Sequence, residues 1–152
     1  MKTVRVLLVS TYDLGRQPFG LASPAAWLRR ADVETRCVDT SRESLSDEAI
    51  RQASIVAVYL PMHTATRLAA AVIDRVRLIN PGASLVAYSD GVIEREDAKG
   101  RMYGLERLGQ WLRGVADAPS EDAVAGLMTE LRDFGGGTPF EDDVTILMVR
   151  RT

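Results

Sequence analysis

A chain of 152 residues, 46% apolar and 26% charged, is long enough to bury one core and too short for two ordinary domains. Its net charge of −2 and pI near 5.5 provide no basic field, so neither nucleic acid nor an anionic membrane surface is an expected partner. Met1-Lys2-Thr3-Val4 lacks the regions of a signal peptide, no apolar run is long enough to span a bilayer, and the single cysteine, Cys37, reads as a small packed hydrophobe; a cytoplasmic protein is expected.

Val4 to Val9 is a continuous β-branched and leucine run, the pattern of a central strand covered on both faces. Ser23-Pro24 predicts a helix start, with a serine cap and proline in the first turn. Val33 to Asp39 is a second strand, Ser46-Asp47-Glu48 starts a short helix, and Ser54 to Leu60 is a third strand that Pro61 ends. From Thr64 the positions Leu68, Val72, Val76 and Ile79 form one helical stripe, which Asn80-Pro81-Gly82 stops before a fourth strand over Ala83 to Tyr88.

Strands and helices alternate to this point, which argues for right-handed crossovers and parallel pairing. The rhythm then changes. Glu94 to Arg101 reads as a solvated loop, and Leu105, Leu108, Leu112 and Val115 mark a helix. Ser120 is expected to cap a second helix bearing Val124, Leu127, Met128, Leu131 and Phe134, which Gly135-Gly136-Gly137 closes before a last strand, Val144 to Val149. Two successive helices return the chain to the end of the sheet that it left, so the last strand should run antiparallel. The expected fold is a three-layer α/β/α sandwich of one domain, residues 1–152, with strand order 2-1-3-4-5. Its terminal strand is apolar for an edge, which predicts pairing with a second copy.

The stretch from Val4 to about Tyr88, especially "VLLVSTYDLGRQPFGLASPAAWLRRA" and "LPMHTATRLA", resembles the cobalamin-binding-type, flavodoxin-like domain of radical-SAM proteins. That resemblance implies a corrinoid over the carboxyl ends of the strands, near Thr11, Tyr12, Asp13 and His63. It departs from the family's Asp-x-His-x-x-Gly loop, since Leu14, Gly15 and Arg16 follow Asp13. From about Leu85, "LVAYSDGVIERED", "GRMYGLERLGQWLRGVA" and "GGGTPFEDDVTILMVRR" resemble the C-terminal part of metal-dependent serine/threonine phosphatases of the SpoIIE kind. There the Asp of a strand-ending Asp-Gly and the first Asp of Asp-Asp-x-Thr bind manganese or magnesium, which by motif implies Asp90 and Asp142.

The two resemblances, residues 1–88 and 85–152, share the fourth strand and suggest an engineered chimera, with no complete active site and no native catalysis expected. A corrinoid-binding module and a weak manganese- or magnesium-dependent phosphatase remnant are the alternatives. Asp13, Asp39, Glu141 and Asp143 are further acids able to join a metal site, and Arg16 is a candidate for positioning phosphate. The loop from Thr11 to Gly20 has neither a dinucleotide glycine pattern nor a phosphate-loop lysine, and the third strand ends in Leu60-Pro61 without the aspartate of a response regulator. Trp27 and Trp111 are expected to pack against the sheet.

Overall fold

The structure, a computed structural model, describes residues 4–13, 18–115 and 118–150 and, at His63, the backbone alone. Its elements are β1 (Arg5–Ser10), α1 (Phe19–Arg30), β2 (Glu34–Asp39), α2 (Asp47–Gln52), β3 (Ile55–Tyr59), α3 (His63–Ile79), β4 (Ser84–Tyr88), α4 (Asp90–Ile93), α5 (Gly104–Gly114), α6 (Ser120–Phe134) and β5 (Ile146–Val149). The strands form one five-stranded sheet in the order β2-β1-β3-β4-β5. The first four pair in parallel and β5 pairs antiparallel to β4, as the two-helix return predicts.

Strand alternation divides the core in two. Val6 and Leu8 of β1 join Leu21 and Ala25 of α1, Leu108 and Trp111 of α5, and Leu127 and Leu131 of α6 on one face. Leu7 and Val9 join Ile50 of α2 and Ala69 and Val76 of α3 on the other. Helices therefore cover both faces, which is why the central strands read as unbroken apolar runs. Leu127 and Leu131 are fully buried, each contributing about 1.5–3 kcal/mol of burial free energy.

Four expectations about helix and loop segments need correction. Helix α1 begins at Phe19 rather than at Ser23, with Pro18 at its cap and Pro24 inside it. The Pro18 carbonyl accepts from the Leu21 and Ala22 amides. Gly20, Leu21, Pro24 and Ala25 then form the buried face, and that burial offsets the proline's cost of about 3 kcal/mol. In α3 the sheet-facing residues are Ala65, Ala69 and Val76, flanked by half-buried Val72 and Ile79, whereas Leu68 is 47% exposed. Small alanines take the buried positions and Leu68 turns outward. Pro119, not Ser120, caps α6, and its carbonyl accepts from the Ala123 amide. The fourth correction concerns Glu94 to Arg101, which contains a buried residue, Arg95, and is tied by an antiparallel bridge between Glu96 and Met102.

Trp111 is buried as expected, but Trp27 stays partly exposed, its ring lying 5.0 Å from the Arg30 guanidinium carbon. Cys37 is half-buried against the α1 face of the sheet, where burial raises its thiol pKa. Ser46 caps α2 as predicted, accepting from the Ala49 amide. Asn80 does more than stop α3: its amide donates to the Ile50 and Ala53 carbonyls at 2.8 and 2.9 Å, fastening the end of α2. Among the described residues no helix is long and apolar enough to cross a membrane.

The bridged segment contains a local charge clamp. Asp97 accepts from the backbone amides of Lys99 and Arg101 and from the Arg101 guanidinium at 2.8 Å. These bonds, the Arg101 amide foremost, lower the Asp97 pKa from 3.8 to about 2. A depressed carboxyl pKa contributes stability above the unfolded value and loses it as pH falls towards the folded one. The turn over residues 97–101 should therefore loosen between about pH 4 and pH 2, with the Asp97 carboxyl carbon titrating by NMR near the lower value. Titration of that signal at the ordinary aspartate pKa would contradict the clamp.

Candidate metal centre

The stretch Ser89-Asp90-Gly91 lies where β4 meets the start of the last strand, and each residue has a separate task. Ser89 extends the β4–β5 ladder beyond the strands: its amide donates to the Thr145 carbonyl at 3.0 Å. Its hydroxyl donates to the Asp143 carbonyl and accepts from the Thr145 amide, both at 2.9 Å. Gly91 permits close approach, since a Cβ there would sit 2.6 Å from the Asp143 carbonyl oxygen. Asp90 opens α4, and its Oδ1 accepts from the Gly91 amide at 3.0 Å. Asp142 mirrors this, its Oδ1 accepting from the Asp143 amide at 2.7 Å. Each aspartate thus uses one oxygen to fix its orientation and keeps the second available.

Glu94 completes the group. It follows Asp90 by one helical turn, and its amide donates to the Asp90 carbonyl at 2.9 Å. Carboxylate oxygens of Asp90, Glu94 and Asp142 all lie within 4.8 Å of one another. Asp90 is half-buried while Glu94 and Asp142 are exposed. Burial, followed by the charges of Asp90 and Asp142, raises the Glu94 carboxyl pKa. The same field reaches Tyr59 at the end of β3, whose phenol is pushed up to about 12 by burial and then by Asp90, Asp13 and Glu94. Tyr59 consequently keeps its proton at neutral pH.

The predicted pair Asp90 and Asp142 is brought together, and Glu94 is the ligand candidate that motif reading missed. Its signal was the four-residue spacing from Asp90, which a helical turn converts into one face. Asp13, Asp39, Glu141 and Asp143 stay outside the group. Asp39 instead accepts from the Ser41 amide and hydroxyl in its own turn. Of the residues named for a corrinoid, Thr11 is buried and its hydroxyl donates to the Ala65 carbonyl at 3.0 Å, while Tyr12 and Asp13 are half-buried. His63 opens α3, and its side chain, like the whole of Arg16, lies outside the described residues.

The family of Stage II sporulation protein E (SpoIIE) matches residues 68–152, more than half of the chain. The protein belongs to the SpoIIE family. The matched stretch starts within α3, upstream of Leu85, and includes Asp90, Glu94 and Asp142; it leaves Thr11, Tyr12, Asp13 and His63 outside. No curated protein and no solved structure matches the chain.

The donor set suits the divalent metals of SpoIIE-type phosphatases. Magnesium and manganese prefer hard oxygen ligands. Metal–oxygen bonds of about 2.1 Å put the ligands of one octahedral ion roughly 3 to 4.2 Å apart. Small side-chain rotations close the remaining gap from 4.8 Å. A groove of about 410 Å³, lined by Gly91, Glu94, Arg95, Met102, Phe140 and Asp142 among others, gives water room to complete the coordination.

Gly91→Ala tests the close approach on which the site rests. The added methyl should push the Asp143 segment outward and cost about 1–3 kcal/mol in a denaturant melt, the usual range for overpacking. An unchanged melting midpoint would show that the two segments tolerate separation.

Proposed function

We propose that the chain is a reduced SpoIIE-type metal site, in which Asp90, Glu94 and Asp142 hold one manganese or magnesium ion and support weak phosphoprotein phosphatase activity. The convergence of three carboxylates from α4 and from the segment before β5 carries this reading. When bound, such an ion supplies Lewis acidity towards a phosphoryl oxygen. The chain's own residues bind and orient it: Ser89 holds the Asp142-bearing segment against β4, and the one-turn spacing aligns Glu94 with Asp90. Activity is expected to be weak because Arg95, the cation among the groove's lining residues, already donates to backbone carbonyls.

The reading treats residues 1–152 as one domain whose 1–88 and 85–152 segments share β4. It ranks above a scaffold joined from two families because the family match runs through the supposed junction. It ranks above the corrinoid module because the Thr11 hydroxyl is already engaged by Ala65. Manganese titrated calorimetrically should bind once, with a dissociation constant on the order of 10⁻⁴–10⁻³ M, as expected of a carboxylate site left largely to water. Asp90→Asn, Glu94→Gln and Asp142→Asn should each abolish binding and any manganese-dependent turnover of a phosphate ester. No heat of binding at millimolar manganese would remove the proposal, and a shifted cobalamin spectrum on mixing would favour the corrinoid module instead.

The β5 edge supports a second expectation. One edge of β5 pairs with β4, the other has no strand partner among the described residues, and Leu147 of β5 is 43% exposed. Such an edge recruits another strand. We propose a homodimer paired through β5: light scattering should give a mass that rises with concentration, and Leu147→Lys should hold it at the monomer value. A wild-type mass independent of concentration would refute this.

A further inference from the structure

We propose that Arg95 is a positioning residue, holding Asp142 and Glu94 at the separation one divalent ion requires; this rests on the metal reading above. Arg95 is a buried cation, and among the described residues it pairs with no carboxylate. Its guanidinium instead donates to the Leu131 carbonyl at 3.3 Å and to the Thr138 and Pro139 carbonyls, each at 2.6 Å. It also donates to the Thr138 hydroxyl at 2.9 Å and lies 4.7 Å from the centre of the Phe140 ring. Every one of these partners belongs to the end of α6 or to the segment that leads into Asp142. On its own strand of chain, Arg95 directly follows Glu94, and its carbonyl accepts from the Tyr103 amide at 2.7 Å.

The guanidinium therefore spans the two stretches that carry the carboxylates. Downstream of Asp142, Ser89 fastens Asp143 and Thr145; upstream, Arg95 fastens Thr138 and Pro139. Asp142 hangs between these two anchors in a segment that joins the β4–β5 ladder only at Thr145. The surrounding sequence is shaped to the guanidinium: a Cβ at Gly135 would overlap it, so only glycine leaves that passage open. Burying a charge without an acid costs several kcal/mol unless hydrogen bonds replace its hydration, and a planar fork matched to backbone carbonyls does so in a way that lysine cannot. A residue serving only to fill space would need no such fork.

The test uses the full chain and manganese alone, with calorimetric affinity and thermal melting measured on the same samples. Arg95→Met, which keeps the length and loses every donor, should weaken manganese binding at least tenfold at temperatures where it remains folded. Arg95→Lys should recover part of that loss. Thr138→Val, a milder change that removes one acceptor, should weaken binding two- to fivefold and serves where Arg95→Met does not fold. Ile50→Val, on the opposite face of the sheet, should lower the melting temperature and leave affinity unchanged. Wild-type affinity in folded Arg95→Met, or in Thr138→Val should Arg95→Met not fold, would overturn the positioning role while leaving the metal site standing. Absence of manganese binding by the wild type would remove the metal reading and this inference with it.

Discussion

Strand β5 lies antiparallel to β4, with Tyr88 opposite Ile146 and Leu85 opposite Val149, and the pairing continues past the strands through Ser89. The candidate site depends on that continuation. In a parallel arrangement the start of β5 would lie at the far end of the sheet from Asp90, and the two aspartates would be separated by the length of a strand. Because the last strand runs backwards, its beginning meets the end of its neighbour. A serine hydroxyl that both donates and accepts then sets the register where the ladder would otherwise fray. Gly91 contributes by absence, leaving room for the carbonyl that a side chain would displace.

The helices make this return possible. Helix α5 packs beside α1, and α6 packs over β5, so the excursion between β4 and β5 completes one layer of the sandwich. Leu108, Trp111, Leu127 and Leu131 supply the burial that fixes both ends of the connection. The edge strand is held by this cover on one face and by β4 at its side, while Leu147 faces outward. Stability and site geometry thus share a cause: the same apolar stripes that hold α5 and α6 against the sheet deliver the acidic segment to the end of β4.

The sheet was legible in the sequence because its central strands are covered on both sides and leave uninterrupted apolar runs. The reversed last strand followed from the change from alternating strands and helices to two helices in succession. The beginning of α1 was not legible, since proline at position 24 argues locally for a first turn, and only the burial of Gly20 and Leu21 against the sheet reverses that preference. Leu68 misled for a related reason: a leucine outweighs alanine in any periodicity, yet Ala65 and Ala69 are the buried positions. At the site, Asp90 and Asp142 stood out through their motifs. Glu94 and Arg95 were concealed by their neighbours, because a run of alternating charges has the composition of a solvated loop whether or not one member turns inward.

That inward turn determines the electrostatics of the groove. Had the Arg95 guanidinium reached the carboxylates, it would have neutralised part of their charge and opposed any cation arriving from solvent. It points its donors at the Leu131, Thr138 and Pro139 carbonyls instead, groups that carry partial charge only. Among the described residues, none of Asp90, Glu94 and Asp142 forms a salt bridge. Burial, and after it the charges of Asp90 and Asp142, raises the pKa of Glu94. Screening ions or a bound cation relieve the repulsion among these three acids. Keeping the nearby positive charge occupied with backbone is thus what allows an acidic cluster to stay open to a metal, and it does so with the same bonds that hold the cluster's two halves together.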